Sequence, residues 1–230
     1  TRYLAVTGVQ TCALPILGDS TYFMRAGYSG SQRWCPLMWA GDQNVDWSRD
    51  DGLPSVIPAA LSLAALGHGY HHSDTGGYTT LFHLKRSKEL LLRWAELSAF
   101  TMAMRTHEGN RPQSNWQFDS DGETLRALGS MGRLRAALAP YFRQLAQRFS
   151  ADGEPTLRPL FMADEAAREA WRIQDQFMVG SELLVAPVLK KGARSRRLWL
   201  PAGQWVGLWD GAVYGAASAP GSWIRVAAPL

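Results

Sequence analysis

Four side chains have the types and spacing that chemistry would need: Arg25, Asp42, Asp74 and His107. Three of them follow short apolar runs. Phe23-Met24 leads into Arg25, Leu37-Met38-Trp39-Ala40 into Gly41-Asp42, and Phe100 to Met104 into Arg105-Thr106-His107. Asp74 lies in Tyr70 to Tyr78, just before Gly76-Gly77, where backbone must come close to something. Apolar runs that empty into polar groups and glycine are how buried parallel strands look when their C-terminal ends open into a site. Asp42 follows Trp39-Ala40-Gly41, and apolar walls of that kind disfavour a carboxylate. It is therefore a candidate to hold a proton near neutral pH and donate it, although a turn or helix-cap aspartate fits the same place. Arg25 reads as a bidentate clamp on a substrate or as a buried partner for a carboxylate. His107 suits hydrogen bonding to hydroxyls or acid/base work. Spacing alone pairs Asp42 with Asp74 as the two carboxyls of one site. His68, His71 and His72 invite a metal reading, but no i,i+4 pair falls on a helix and no Cys or Glu cluster accompanies them, so no metal is expected. In an extended segment His71 and His72 face opposite sides, so at most one looks into the site.

The elements that must hold these residues follow a strand–helix alternation. After Asp42, a helix is expected from Asp51 or Ser55 to Leu66, with Pro54 in its first turn and Gly67 and Gly69 at its end. A second runs over Ser87 to Ala99, and Phe100 to Met104 reads as a strand. Glu123 to Phe149 carries an apolar stripe from Leu125 to Phe149, kinked or split at Pro140 and closed at Asp152-Gly153. From Glu154 onward the texture changes to short β-like runs: 157–161, 182–189, 197–200, 204–209 and 223–226, separated by turn signals. The expected architecture is α/β, a partial (β/α)8 TIM barrel over 18–153, followed by an antiparallel β-sandwich-like domain over 154–230. Residues 1–17 begin without Met. Val6 to Ile16 (VTGVQTCALPI) resembles a translated sequencing-adapter peptide, so this leader is expected to be foreign to the fold.

Composition narrows the classes. Hydrophobic residues make up 46% of 230, enough for a sizeable core and against disorder. The net charge of +4 comes from scattered Arg residues with no basic, aromatic-interleaved run, which argues against nucleic acid and fits an anionic small substrate. No apolar run approaches a membrane span. Cys12 and Cys35 are too few for a disulfide framework, which suggests a reducing, cytoplasmic compartment.

Taken in order, several stretches resemble glycoside hydrolase family 31, the α-glycosidases built on a (β/α)8 barrel. They are the Arg25 strand, Trp39-Ala40-Gly41-Asp42, Asp74-Thr75-Gly76-Gly77-Tyr78, Arg105-Thr106-His107, Leu157-Arg158-Pro159-Leu160, Asp175-Gln176-Phe177, Leu183 to Val188 and Leu200 to Trp205. The similarity is strongest to the branch acting on sulfoquinovosides, notably over Arg25 to Gln32, His72 to Leu92 and Arg105 to Phe118. The resemblance implies retaining cleavage of a small glycoside carrying an anionic sulfonate, with no cofactor. It implies that Asp42 is the general acid/base, that Arg25 and His107 contact the sugar, and that Tyr78 helps to hold the sulfonate through water. Asp74 would lie at the bottom of the pocket. The resemblance argues against the Asp42–Asp74 pairing. The family's nucleophile is an aspartate on an earlier strand, and upstream of Asp42 only Asp19 is available, without the matching context. That implies a chain corresponding to the second half of the barrel. Two other readings stay open: a relative acting on neutral α-glucosides or α-xylosides, and an inactive carbohydrate-binding piece. Homo-oligomerisation is left open too.

Overall fold

The computed structural model describes residues 22–35 and 37–230. The leader 1–17, Asp19 and Cys12 lie outside them. The first part is a run of short parallel strands: β1 (Phe23–Met24), β2 (Leu37–Trp39), β3 (His71–His72), β4 (Asp74–Thr75) and β5 (Arg105–Thr106). β1, β2 and β3 pair in chain order, and β4 pairs with β5, with Asp74 opposite Arg105. Only Ser73 separates β3 from β4, so the two form one bent path. Helix α1 (Val56–Ala65) connects β2 to β3, and α2 (Lys88–Ser98) connects β4 to β5. Parallel neighbours need such crossovers, and they bury the sheet on its helical side.

Each helix starts for a local reason. α2 opens where the Leu90 amide donates to Ser87 Oγ at 3.2 Å, and it buries Leu90, Leu91, Trp94 and Leu97 on the core side. α1 differs from expectation: neither Asp51 nor Ser55 caps it. A single tight turn, Leu53–Ser55, leads in, and Ser55 is already helical and turns its hydroxyl back to the Gly52 carbonyl at 2.8 Å. The long apolar stripe divides into α3 (Gly122–Ala137) and α4 (Ala139–Asp152). Pro140 lies in the first turn of α4, where its missing N–H and ring are tolerated but a continuous helix is not. Gly153, at φ 72°, closes α4. Leu125, expected on the buried stripe, is 54% exposed.

Phe100 to Met104 is not a strand. It is a turn whose carbonyls meet a guanidinium instead of a ladder: Arg135 donates to Ala99 at 3.4 Å, to Met102 at 2.5 Å and to Thr101. β5 begins only at Arg105. One core joins α1, α2, α4 and the following strands through Leu53, Ile57, Trp94, Leu145, Leu157 and Phe177.

The second part is antiparallel. β6 (Leu157–Arg158), β7 (Phe177–Val179) and β8 (Leu183–Val185) form one sheet, β9 (Ser195–Leu200) pairs with β12 (Ser222–Ala227), and β10 (Trp205–Val206) pairs with β11 (Val213–Tyr214). The run 157–161 is a strand only as far as Arg158, and a tight turn at Leu160–Met162 follows. Gln176 joins two of the sheets: its buried side-chain amide donates to the Trp199 carbonyl at 2.7 Å and accepts from the Trp199 N–H at 2.9 Å. Arg93, buried in α2, donates to the carbonyls of Ala193, Ala228 and Pro229 and so ties the helix to the chain's end. Among the described residues no helix is long and apolar enough to cross a membrane.

Candidate active site

Arg25, Asp42, Tyr78 and His107 each lie just past the C-terminal end of a parallel strand, and Asp74 begins β4 itself. In a barrel this end of the strands is where active sites form. Backbone contacts fasten the loops to one another. The amides of Tyr78 and Thr79 both donate to the Gln43 carbonyl at 2.9 Å, and the Thr79 hydroxyl donates to the Asp42 carbonyl at 2.6 Å. Gly77, at φ 76°, makes this approach feasible: a Cβ there would sit 3.0 Å from the Asn44 carbonyl oxygen.

Asp42 does not sit between apolar walls. Its side chain is 29% exposed and, among the described residues, accepts one hydrogen bond, from Arg25 Nη1 at 2.9 Å. Arg25 is therefore a carboxylate partner, but neither buried nor bidentate; its side chain is 60% exposed. Gly41, at φ 93°, leaves room for that arginine, since a Cβ would lie 3.1 Å from its Nε.

Asp74 is the opposite case. It is 0% exposed, and its Oδ1 accepts from Trp39 Nε1 at 2.9 Å and from Arg105. Its Oδ2 has no hydrogen-bond partner among the described residues. Burial pushes the Asp74 carboxyl up, against the opposing pull of Arg105, His107 and Trp39. Trp39 links the two acids, because the guanidinium of Arg25 lies 5.5 Å from its ring and that of Arg105 lies 5.6 Å from it. The pairing suggested by spacing thus brings together two carboxyls of unlike character.

His107 accepts from the Gly109 amide through Nδ1 at 3.1 Å, which leaves Nε2 as the donor nitrogen. Its ring meets Tyr78 edge-on at 4.8 Å. His71 and His72 do face opposite sides. His71 lines a small apolar gap with Val56, Ile57 and Ala60, while His72 packs edge-on against Phe23 at 5.0 Å and lies 3.4 Å from Arg105 Nε. Burial lowers both to about 4, with His72 and Arg105 respectively as the second cause. Among the described residues no three His, Cys, Asp or Glu side chains gather as a metal site would require.

An open cleft of about 770 Å³ has Arg25, Trp39 and Tyr28 in its wall. Asp42, Asp74 and His107 are not in that wall; they connect through the Arg25, Trp39 and Arg105 contacts instead. Trp39 and Arg105 are the functional candidates that residue-by-residue reading passed over. Arg105 could have been found by strand period, since it shares a face with His107 two positions on.

The profile of the glycosyl hydrolases family 31 TIM-barrel domain matches residues 17–145, and that of the glycosyl hydrolase family 31 C-terminal domain matches residues 153–230. The chain is 53% identical over 198 residues to the sulfoquinovosidase of Escherichia coli K12, and 49% identical over 195 residues to that of Agrobacterium fabrum. These alignments cover 86% and 84% of this chain, and the chain spans 29% of the length of each relative. A solved family 31 sulfoquinovosidase from E. rectale, in complex with an aza-sugar inhibitor, superposes with a TM-score of 0.87 at 46% identity, over 92% of this chain and 31% of that one.

Proposed function

The chain belongs to glycoside hydrolase family 31, and from that premise we propose that it contributes the acid/base half of a retaining α-glycosidase that cleaves sulfoquinovosides. The observation that carries the reading is the contrast between the two carboxyls. Asp42 is solvent-reachable and held by one exchangeable bond, whereas Asp74 is sealed beneath Trp39 and Arg105.

In the retaining mechanism an ionised carboxylate attacks the anomeric carbon while a second carboxyl, about 5–5.5 Å away, protonates the departing oxygen. Asp42 is the proton donor in this reading. A carboxyl bonded to a guanidinium cannot also offer a proton to a leaving oxygen. Arg25 therefore turns to the sugar when substrate arrives, and Asp42, released from it, takes up a proton from solvent and then faces the glycosidic oxygen. Water then takes the place of the aglycone. Asp42 accepts a proton from it, the new C–O bond forms at the anomeric carbon, and the carboxylate nucleophile leaves. Asp74 does not suit the role of nucleophile, because its Oδ1 is engaged twice and the group is fully buried. Its negative charge serves to fix Arg105 and Trp39 under the sugar. Nε2 of His107 donates to a hydroxyl, and Arg25 and His107 grip more tightly as the oxocarbenium-like transition state forms. Tyr78 sits against His107, where its hydroxyl reaches the sulfonate through water; a buried anion without donors would be costly. The mild positive excess of the chain suits an anionic substrate.

The test is substrate preference in the protein expressed from its complete reading frame. kcat/KM on a nitrophenyl α-sulfoquinovoside should exceed that on the matching α-glucoside and α-xyloside by at least about 100-fold, as expected where a site built for a polar group meets an analogue lacking it. Equal rates on the neutral sugars would move the chain to the neutral-sugar branch of the family.

A further inference from the structure

Arg86 is buried to 3% exposure, yet no carboxylate contacts it among the described residues. Its guanidinium instead donates to five oxygens on three loops: the Gly77 carbonyl at 3.2 Å, the His107 carbonyl at 2.6 Å, the Glu108 carbonyl at 3.2 Å, the Trp116 carbonyl at 2.8 Å and Gln117 Oε1 at 2.9 Å. Burial lowers this guanidinium to about 10, with Asp74 opposing. A buried cation held only by neutral acceptors is costly, and an apolar side chain could fill the same volume. The arrangement makes sense if the loops must be held in one register.

We infer that Arg86 is a positioning residue for glycoside cleavage, setting the His107 imidazole against Tyr78 by clamping the backbone of both loops. This rests on the reading of the site given above. One bond reaches the backbone of His107 itself, and another reaches Gly77, the residue before Tyr78. The surroundings are shaped to the same end. Gly76, at φ 94°, gives way to the arginine stem, because a Cβ there would lie 2.7 Å from Arg86 Cδ. Asn115 continues the clamp: its Oδ1 accepts from the Arg86 amide at 3.0 Å, and its Nδ2 donates to Thr80 Oγ1 at 2.8 Å. Arg86 bonds the backbone of His107 and not its imidazole, so it acts on the site through the His107 loop.

The test is a double-mutant cycle with turnover as the readout. Arg86→Lys keeps the charge but loses the planar fork that reaches three loops at once. Alone it should lower kcat about 100-fold with KM changed less than about threefold, the scale expected for a misplacement of about 1 Å. In a His107→Ala background the same substitution should cost less than about threefold, because the group it positions is gone. An equal loss in both backgrounds would mean a general structural role and overturn the proposal, as would wild-type kcat in Arg86→Lys. If Arg86→Lys does not fold, Gln117→Ala takes its place. It should lose several-fold in kcat, again only while His107 is present, and no loss would be equally contrary. An active wild type with an additive cycle overturns Arg86 alone. A wild type that turns over no glycoside overturns the reading of the site, and the role of Arg86 with it.

Discussion

Two ion pairs at neighbouring strand ends, joined through one tryptophan, are built in opposite ways. Asp74 is fully buried and its Oδ1 is shared by Trp39 and Arg105, while Arg105 keeps 32% of its side chain exposed. Arg25 and Asp42 meet in a single bond with both partners reachable from solvent. Removing the partner of a fully buried carboxylate is expensive, because it leaves a charge in a poor solvent. An exposed pair is worth little to the fold and is easily exchanged. The first is therefore scaffold. The second is the part free to change partners during a reaction.

The contrast can be broken or sharpened by substitution. Asp42→Asn should lower hydrolysis of alkyl sulfoquinovosides by about 10²–10⁴-fold, the usual contribution of a general acid. Its thermal midpoint should stay within the shift expected for about 1 kcal/mol. Asp74→Asn or Arg105→Met should reverse that signature, costing about 3–5 kcal/mol in denaturant unfolding. A fully stable Arg105→Met variant would dissolve the distinction between the pairs.

The buried histidines beside the scaffold pair add a pH dependence. In the folded chain His71 and His72 are lowered to about 4, so below the unfolded value of 6.5 the unfolded chain takes up protons that the folded chain refuses. Stability is thus full above about 6.5, falls as pH drops from there toward 4, and levels off below. A shift of that size in one imidazole corresponds to about 3 kcal/mol. Unfolding midpoints should fall steadily as pH is lowered from 7 to 4, and a flat profile would mean the imidazoles are not shielded from protons. The smallest effect is expected at the exposed pair: Arg25→Met should change stability by less than about 1 kcal/mol while raising KM for the sugar.

Much of the scaffold was legible beforehand because it follows period and punctuation. The apolar runs before Arg25 and Asp42, the Ser87 cap of α2, Pro140 between α3 and α4, and Gly153 at the close are all local signals. What escaped was set by distant partners. Phe100 to Met104 has the composition of a strand, but Arg135 on another helix takes its carbonyls. β7 is a fully buried three-residue strand and offers no alternation to read. At the site, the residue types at 25, 42, 74 and 107 could be singled out, but not which acid would be sealed. Trp39-Ala40-Gly41 suggested an enclosed Asp42; in the fold, the Trp39 indole turns to Asp74 instead. Arg86 carried no signal at all, since an arginine beside Lys85 ahead of a helix looks like solvated surface until the three loops close around it.

The most direct measurement is the leaving-group dependence of the Asp42→Asn variant. With Asp42 as the proton donor, glycosides with alcohol aglycones should lose about 10²–10⁴-fold in the first chemical step, whereas a dinitrophenyl glycoside, whose leaving group departs without a proton, should keep a rate near wild type. A loss of the same size for both aglycones would contradict the assignment and leave Asp42 no more than a counter-ion for Arg25.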